Sequence, residues 1–416
     1  MKPFHRAIGR RIKKYGSHFT KYLYERDTIF ATIWVFAFII FLGLIPINFY
    51  FLNPLKLALK DFDFNDITYA KLEKSKNTAM DSRIVVINIG HADREAIAMI
   101  IEKTASLSPK VMGLDVLFDE AQDPFPDSLL ASTLEKYPNL VVAARLNWHI
   151  RDSLYLSRNH FRNNVAKLGY VNFDNEDLET TRLYSPIKKD SYHEYQSFSA
   201  ALVREYDPAA YEYLKKRDKP TEIINYSRNY NLRSHQYHVI DALTLMAGNV
   251  EDSVIKGKIA LFGYINLDPN DIEDKKFTPM NEKFAGKSVP DMNGIIVHAN
   301  IISMILDKNY IKKLPSWVNW LVAILICWLH MSFFIRYYLE NHIWFHLVAK
   351  IAQLVSAIFF AYIGMLLFEK YNIKLDMKMS LIVIVMAVDV IYFYEAFAVW
   401  VHKKFNYQTV FHQKHH

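Results

Sequence analysis

The sequence predicts an extracytoplasmic α/β domain, with a mainly parallel sheet flanked by helices, together with four transmembrane α-helices. Three features of the 416 residues support this fold class. Four predominantly apolar segments are long enough to cross a bilayer, which takes about 20 helical residues. Between the first and the second segment, apolar β-branched runs alternate with helical patterns, which is typical of βαβ units. Basic residues are concentrated before the first apolar segment, and their position predicts the orientation of the chain.

The apolar segments divide the chain into one large outer domain, four helices and two short cytoplasmic ends. The outer domain is large enough for one sizeable core. The only cysteine, Cys327, lies within the second apolar segment, so we expect no disulfide bond in the outer domain. The predicted segments are residues 1–27 (basic cytoplasmic segment), 28–52 (transmembrane helix 1), 53–313 (outer domain), 314–338, 343–368 and 379–402 (transmembrane helices 2 to 4) and 403–416 (short cytoplasmic tail).

The net charge of +7 indicates topology rather than nucleic-acid binding. Residues 1–26 contain eight Lys and Arg but only one acidic residue, Glu25, so this segment accounts for the whole excess. Basic residues beside a membrane helix stay in the cytoplasm and attract anionic lipid headgroups. We therefore expect a multi-pass protein of a bacterial inner membrane, with both termini cytoplasmic, the large domain periplasmic and no nucleic-acid partner.

The outer domain alternates between strand and helix patterns. The run Arg83–Ile89 (RIVVINI) is continuous and β-branched, as expected for a strand buried on both faces. This alternation favours a mainly parallel sheet with helices on both faces. We predict strands at Arg83–Ile89, Lys110–Val116, Asn139–Leu146, Glu222–Tyr226 and Lys258–Tyr264, a hairpin from Gly169–Phe173 and Arg182–Pro186, and helices at His91–Leu107, Pro126–Tyr137, Ser197–Glu205, Val239–Ala247 and Gly294–Lys308.

Polar residues that follow the predicted strands are candidates for a ligand site, because ligands bind beyond the carboxyl ends of parallel strands. Their carboxylates suit a cation, and the mixed set suits a polar ligand. Alternatively, these side chains fix loops through hydrogen bonds, and His298 is a core histidine rather than a ligand or a pH-sensitive group. Both interpretations stay open. The candidates are Asn88, His91, Asp115, Asp119, Glu120, Asn266, Asp268, Asp274, Thr278 and His298.

Catalytic motifs are absent from the sequence. It contains no Gly-rich phosphate loop, no Gly-x-Ser-x-Gly elbow and no His-Glu-x-x-His. The final His-Gln-Lys-His-His could bind a metal, but we interpret it as part of a short exposed tail. We therefore expect no catalytic residues, no metal site, no cofactor and no enzymatic activity.

Ionisable residues inside the apolar segments form a second candidate site. Charges within a bilayer are costly, so they face the protein interior and find partners. His330, Lys350 and Glu395 lie at similar depths in three different segments, about 10–12 Å from the predicted cytoplasmic ends at 1.5 Å per residue. We predict that Lys350 pairs with Glu395, with His330 nearby, while Asp389 lies deeper. This polar cluster is either a relay or docking site, or an ion pair that fixes the fold.

Three stretches of the outer domain, in order, resemble one family. The combination is similar to the second type of CHASE domain, the extracytoplasmic sensory domains of bacterial cyclases and histidine kinases. The resemblance covers about residues 80–402 and includes three membrane helices after the domain. The stretches are RIVVINI with Gly113–Glu120 (GLDVLFDE), Gly169–Phe173 (GYVNF) with Tyr184-Ser185-Pro186, and Lys258–Tyr264 (KIALFGY) with Phe277-Thr278-Pro279 and Ile296–Asn300 (IVHAN).

The resemblance implies a sensory role. Relatives of this kind commonly continue into a cytoplasmic output domain, whereas Lys403–His416 is too short for one. We therefore expect a sensor that acts through a separate cytoplasmic or membrane protein, and homo-oligomerisation is possible. Two other functions stay open: a structural subunit or scaffold of a cell-envelope complex, and an ion-coupled membrane component.

Overall fold

The structure is a computed structural model that describes residues 22–45, 63–75, 78–148, 153–157, 159–174, 179–281, 289–340 and 344–412. The chain divides into two compact units, one formed by Asn53–Ile311 and one by Met1–Leu52 with Lys312–His416. Most of the predicted basic segment, the turn before helix 3 and residues 413–416 lie outside the described residues. Each unit is considered by itself below.

The first unit contains most of the strands. Its helices are α2 (Asp66–Ser75), α3 (Arg94–Ser106), α4 (Pro124–Lys136), α5 (Phe198–Tyr206), α6 (Pro208–Arg217), α7 (Ala242–Met246), α8 (Asp252–Ile255) and α9 (Gly294–Leu306). Its strands are β1 (Asp81–Asn88), β2 (Val111–Leu114), β3 (Leu140–Ala144), β4 (Leu146–Trp148), β5 (Leu154–Leu156), β6 (Lys167–Tyr170), β7 (Leu183–Tyr184), β8 (Ile187–Lys189), β9 (Glu194–Gln196), β10 (Glu222–Ile223), β11 (Tyr237–Asp241), β12 (Ile259–Gly263), β13 (Lys275–Lys276) and β14 (Met292–Asn293).

A parallel sheet forms the centre of this unit. Among the described residues, six strands pair in the order β11-β1-β12-β2-β3-β6, and every neighbouring pair is parallel. The register places Leu114 opposite Phe262 on one side and opposite Val142 on the other. The predicted α/β architecture with a mainly parallel sheet is therefore confirmed.

Helices α3 and α4 cover one face of the sheet. Their apolar side chains, including Ile97, Ile101 and Leu130, pack with buried strand residues such as Val85 and Phe262. Asp93 caps the start of α3 by accepting a hydrogen bond from the backbone N–H of Ala96. The continuous β-branched runs are explained by this arrangement, because helices cover the opposite face as well.

Helices α5 and α9 lie very close to the other face, at glycine positions. A Cβ atom on Gly169 would lie 2.5 Å from the Cα of Phe198 in α5. A Cβ atom on Gly263 would lie 2.8 Å from the side chain of Ile295 in α9. Only residues without a side chain allow backbones to approach so closely.

A buried carboxylate links β1 to α9. Asp81 accepts hydrogen bonds from the Arg83 guanidinium (2.7 and 2.9 Å) and from the Ser303 hydroxyl (2.7 Å). Burial opposes the charge, but these hydrogen bonds outweigh it and lower the pKa of Asp81 to about 2. Arg83 also bridges to Asp307, one residue after α9, at 2.7 Å. The network fixes the last turn of α9 against the sheet.

The second unit is helical. It contains α1 (Arg26–Leu44), α10 (Ser316–Glu340), α11 (Phe345–Tyr371) and α12 (Lys378–Phe405), with the short strands β15 (Lys312–Lys313) and β16 (Ile373–Lys374). In the part of the chain that the structure describes, these four helices are long and apolar enough to cross a membrane. Helix α12 packs on α1, α10 and α11.

The segment after α12 packs on this helical unit rather than extending into solvent. Asp27, which is 1% exposed, accepts hydrogen bonds from the Tyr394 hydroxyl (2.6 Å) and from the backbone N–H of Val410 (2.7 Å). The Tyr407 hydroxyl adds a third bond at 3.3 Å, and Phe411 is fully buried. The interpretation of the final His-Gln-Lys-His-His as an exposed tail concerns residues 412–416, and all of these except His412 lie outside the described residues.

Three predicted elements of the outer domain differ in the structure. The predicted helix Val239–Ala247 begins as the edge strand β11 and becomes helical only at Ala242. The predicted hairpin does not form, because β6 joins the parallel sheet beside β3 whereas β7 pairs with β10. The predicted strand Glu222–Tyr226 is thus the short β10, outside the central sheet.

Replacing Gly169 by Ala should destabilise the outer domain. The added methyl group would meet backbone atoms of α5, which cannot move away as a flexible side chain can. We expect a loss of about 1–3 kcal/mol, the usual cost of overpacking. Thermal unfolding of the full-length protein in detergent measures it. Gly43→Ala in α1, where no atom lies within 4 Å of the new Cβ, is the control. Equal melting temperatures for the two variants would contradict the prediction.

Candidate functional site

A cavity of about 690 Å³ opens where the parallel strands end. It is lined by residues that follow β1, β2, β3, β6 and β12, by the loop before β13 and by the first turns of α9. This is the edge at which parallel α/β sheets bind ligands. Its volume falls within the range of about 300–1,000 Å³ typical of small-molecule sites. The lining residues used below are His91, Asp115, Arg145, Asn172, Phe173, Tyr264, Glu273, Asp274, Lys276 and His298.

Asp115 contributes a carboxyl group that has no hydrogen-bond or ion-pair partner among the described residues. It follows β2 and is half-buried, and within the described residues its side chain makes neither a hydrogen bond nor an ion pair. Burial, with the nearby charge of Asp274, raises the pKa of Asp115 to about 7, although Lys276 acts against the rise. A carboxyl group with a raised pKa and no partner among the described residues can bind a cationic group or share a proton with a ligand.

His298 forms part of the cavity wall as a neutral side chain. It is 4% exposed, and its Nδ1 lies 3.1 Å from the Ser199 hydroxyl. Its ring stacks on Phe173, with centroids 5.0 Å apart, and meets Phe198 edge-on. Burial, followed by the charge of Lys276, lowers the pKa of His298 to about 3. The imidazole therefore stays neutral near pH 7 and does not act as a pH-sensitive group there.

Two more of the predicted residues line the mouth of the cavity. His91 is exposed, and its Nε2 lies 3.6 Å from the Glu273 carboxylate while its ring contacts Tyr264. Asp274 is exposed with a positive φ of 52°, and its carboxylate lies beside Gly294, the first residue of α9. The rule about strand ends thus brings His91, Asp115, Asp274 and His298 to one cavity.

Asn88 and Thr278 have loop-fixing roles. Asn88 Oδ1 accepts hydrogen bonds from the backbone N–H groups of Gly90 (3.2 Å) and Ile265 (3.0 Å), and so connects the loops after β1 and β12. The Thr278 hydroxyl and backbone N–H both donate to Asp291, at 2.5 and 2.8 Å. These contacts match the structural interpretation of such residues.

The other candidates lie outside the described lining of the cavity. Asp119 and Glu120 are exposed, and the Glu120 carbonyl accepts a hydrogen bond from Arg94. Asp268 is exposed and accepts the N–H of Asn270 in a tight turn (2.9 Å). Asn266 bonds to the Tyr264 hydroxyl (3.2 Å). Among the described residues, no group of three or more His, Cys, Asp or Glu could hold a metal ion.

Sequence reasoning missed Arg145, Lys276, Tyr264 and Glu273. Arg145 follows β3 directly, so the rule that selected Asp115 would have selected it too. It was overlooked because the predicted strand extended to Leu146, whereas β3 ends at Ala144. Lys276 lies in the short β13, which has no sequence pattern of its own.

The polar residues of the long apolar helices make different pairs from those predicted. Lys350 bonds to Asp389 (2.9 and 3.1 Å) rather than to Glu395, which accepts a hydrogen bond from the Tyr338 hydroxyl at 2.6 Å. Six residues along a helix correspond to a rotation of about 120° at 3.6 residues per turn. Asp389 therefore faces α11, and Glu395 faces α10.

His330 makes its hydrogen bond within its own helix. Its Nδ1 lies 2.8 Å from the carbonyl oxygen of Ile326, and its ring meets Phe334. Neither contact involves Lys350, so the expectation that His330 lies near Lys350 stays a prediction. The sequence reasoning also missed Asp27, because a carboxylate at the start of an apolar segment looks like an ordinary flanking charge.

The Lys350–Asp389 pair lies on an exposed surface. The two side chains are 53% and 55% exposed. Around them the surface is apolar, with Leu347, Ile351 and Val385 each more than half exposed. In a bilayer such a pair is costly unless protein or water covers it.

Comparison with known families identifies the domain. Residues 36–334, more than two thirds of the chain, match the family model described as CHASE2 domain. The match includes every cavity residue discussed above and confirms the resemblance found in the sequence. Neither the curated proteins nor the solved structures gave a match.

Replacing Asp115 by Asn should stabilise the outer domain, and increasingly so as the pH rises. The folded-state pKa of about 7 exceeds the ordinary value of 3.8, so the folded state holds a proton that the unfolded state releases. This carboxyl group therefore costs stability, and the cost grows from about pH 4 to pH 7. We expect the advantage of the variant to grow by about 1–3 kcal/mol between pH 5 and pH 8. Melting curves at both pH values measure it, with exposed Asp268→Asn as control; a pH-independent difference would contradict the pKa.

Removing one partner of the Lys350–Asp389 pair should lower the stability of the protein more than removing both. Lys350→Leu leaves a carboxylate alone on an apolar surface, whereas the double Leu variant leaves no charge there. Thermal unfolding of the wild type, the two single Leu variants and the double Leu variant in lipid nanodiscs measures the coupling free energy between the two side chains. We expect a value of about 1–3 kcal/mol.

The control is Lys189–Glu194, an ion pair of similar exposure (52% and 46%) in the outer domain. A pair in water should show a coupling below about 1 kcal/mol. Equal coupling for the two pairs would mean that Lys350 and Asp389 are also exposed to water.

Proposed function

The chain belongs to the CHASE2 domain family, and on this premise we propose that it is a membrane-bound sensor. Its extracytoplasmic domain binds a small polar ligand in the cavity at the carboxyl ends of the strands. The helices then pass the resulting change to a separate protein partner. We propose no enzymatic activity for the chain itself.

The cavity is the observation that supports this proposal best. It combines a volume suited to a small molecule with charged side chains, Asp115 and Arg145, that are unpaired within the described residues. A carboxyl group whose pKa is raised by burial reduces the stability of a fold, and such groups are typical of functional sites. A domain that served only as a scaffold would gain nothing from this arrangement.

Helix α9 is suited to carry the change. Its first turns line the cavity through Gly294 and His298, and its last turn is held by the Ser303–Asp81 hydrogen bond. From α9 the chain continues directly towards α10. A ligand that shifted the first turns of α9 would therefore act on the segment that leads to the helical unit.

The exposed Lys350–Asp389 pair supports a protein partner within the membrane. A partner helix that covered the pair would remove it from lipid and could hydrogen-bond to either side chain.

We further propose that the four apolar helices span a bacterial inner membrane, with the termini cytoplasmic and the cavity domain periplasmic. The extracytoplasmic nature of CHASE2 domains and the basic residues 1–26 support this orientation.

Ligand binding and partner association can be tested on the full-length protein in lipid nanodiscs. We expect at least one compound from a panel of amino acids, dicarboxylates, sugars and polyamines to raise the melting temperature by several degrees. The double variant D115N/R145Q should lose this shift, and the control D268N should keep it. If no class of compound shifts the wild-type protein, the ligand-sensing proposal is wrong.

Co-purification from gentle detergent then separates a sensor from a scaffold. For a sensor, the amount or the activity of the co-purified partner should change when the stabilising compound is added, and D115N/R145Q should abolish the change. A partner that associates identically under all these conditions would favour the scaffold function instead.

A further inference from the structure

Two side chains of opposite charge that are unpaired within the described part of the chain line the same cavity. Asp115 follows β2 and Arg145 follows β3, and these strands are neighbours in the sheet. Within the described residues, neither side chain has a hydrogen bond or an ion pair. The two charged groups are therefore too far apart to form an ion pair, and a gap separates them.

The topology of the sheet brings both residues to the same edge. Leu114, the last residue of β2, lies opposite Val142 of β3, and Asp115 directly follows β2 while Arg145 directly follows β3. Neighbouring strands lie about 4.8 Å apart, so the two residues begin adjacent loops at the cavity.

The remaining charges at the cavity nearly balance. Glu273 has His91 beside it at 3.6 Å. Lys276 is close enough to lower the pKa values of Asp115 and His298 through its charge, and it also acts on Asp274. A dicarboxylate would meet Asp115, Asp274 and Glu273, and a polyamine would meet Arg145 and Lys276. A ligand with one positive and one negative end, and so without net charge, avoids repulsion by either set of side chains.

The cavity also offers apolar surface beside the charged pair. Val116, Leu117 and Phe173 line it together with Ile89 and Ile97. This surface suits the apolar part of a ligand whose charged ends are engaged elsewhere.

We propose that the cavity binds a small zwitterion of the amino-acid type, whose carboxylate contacts Arg145 and whose ammonium group contacts Asp115. This inference rests on the proposed ligand-binding function and names its ligand class. A guanidinium binds a carboxylate through two parallel hydrogen bonds, and a carboxylate accepts the N–H groups of an ammonium ion.

The test uses the full-length protein in nanodiscs and the twenty common L-amino acids, each alone, by melting shift and calorimetry. For the tightest binder, two analogues are then measured: the amine that lacks the carboxylate and the acid that lacks the amino group. We expect each analogue to bind at least 10-fold more weakly. D115N should weaken binding of the amino acid at least 10-fold but that of the deaminated acid little, and R145Q should show the opposite selectivity.

The controls and the outcomes separate this inference from the sensor proposal. D268N and R233Q change exposed residues outside the cavity lining and should leave affinity within 2-fold of the wild type. Equal affinity for the amino acid and both analogues would overturn the zwitterion inference, as would unchanged binding in both D115N and R145Q. If a dicarboxylate, sugar or polyamine binds and no amino acid does, the zwitterion inference is wrong while the sensor proposal stands. If nothing binds, both are wrong.

Discussion

The outer domain depends on the close packing of two helices against one face of its parallel sheet. Glycines in β2, β6 and β12 allow α5 and α9 to approach the strands at distances that any Cβ atom would prevent. Because side chains alternate along a strand, Asp115 lies on the same face as Gly113, two residues further on. Asp115 lies beyond the part of the sheet that the two helices cover, and there it lines the cavity. The packing of the helices thus defines both the core and the position of the cavity.

The sequence predicted the central strands because their composition leaves few alternatives. Runs such as RIVVINI and KIALFGY are too short for buried helices, and RIVVINI is also rich in β-branched residues. Val239–Ala247 was assigned incorrectly because the edge strand β11 and the helix after it are both mainly apolar, and only Asp241, the residue that caps the helix, marks the boundary between them. The close contacts at the glycines of β2, β6 and β12 could not be foreseen, since they depend on which helix packs over which strand.

Hydrogen bonding distinguishes the residues of the candidate site from one another, and a sequence does not contain this information. Asn88 and Asp115 both follow a strand, but Asn88 Oδ1 accepts two backbone hydrogen bonds whereas the Asp115 carboxyl accepts none within the described residues. The same limit applies in the helical unit. Depth along the helix suggested Glu395 as the partner of Lys350, but the rotation of α12 turns Asp389 towards α11 instead.

The Lys350–Asp389 pair has an electrical consequence. In a bilayer, moving one elementary charge across the full potential takes about 2.3 kcal/mol per 100 mV. A paired lysine and aspartate carry no net charge, so they can shift together along the membrane normal with almost no electrical work. Rearrangements that keep the pair intact would therefore be insensitive to the membrane voltage, whereas loss of either charge would make the same movement voltage-dependent.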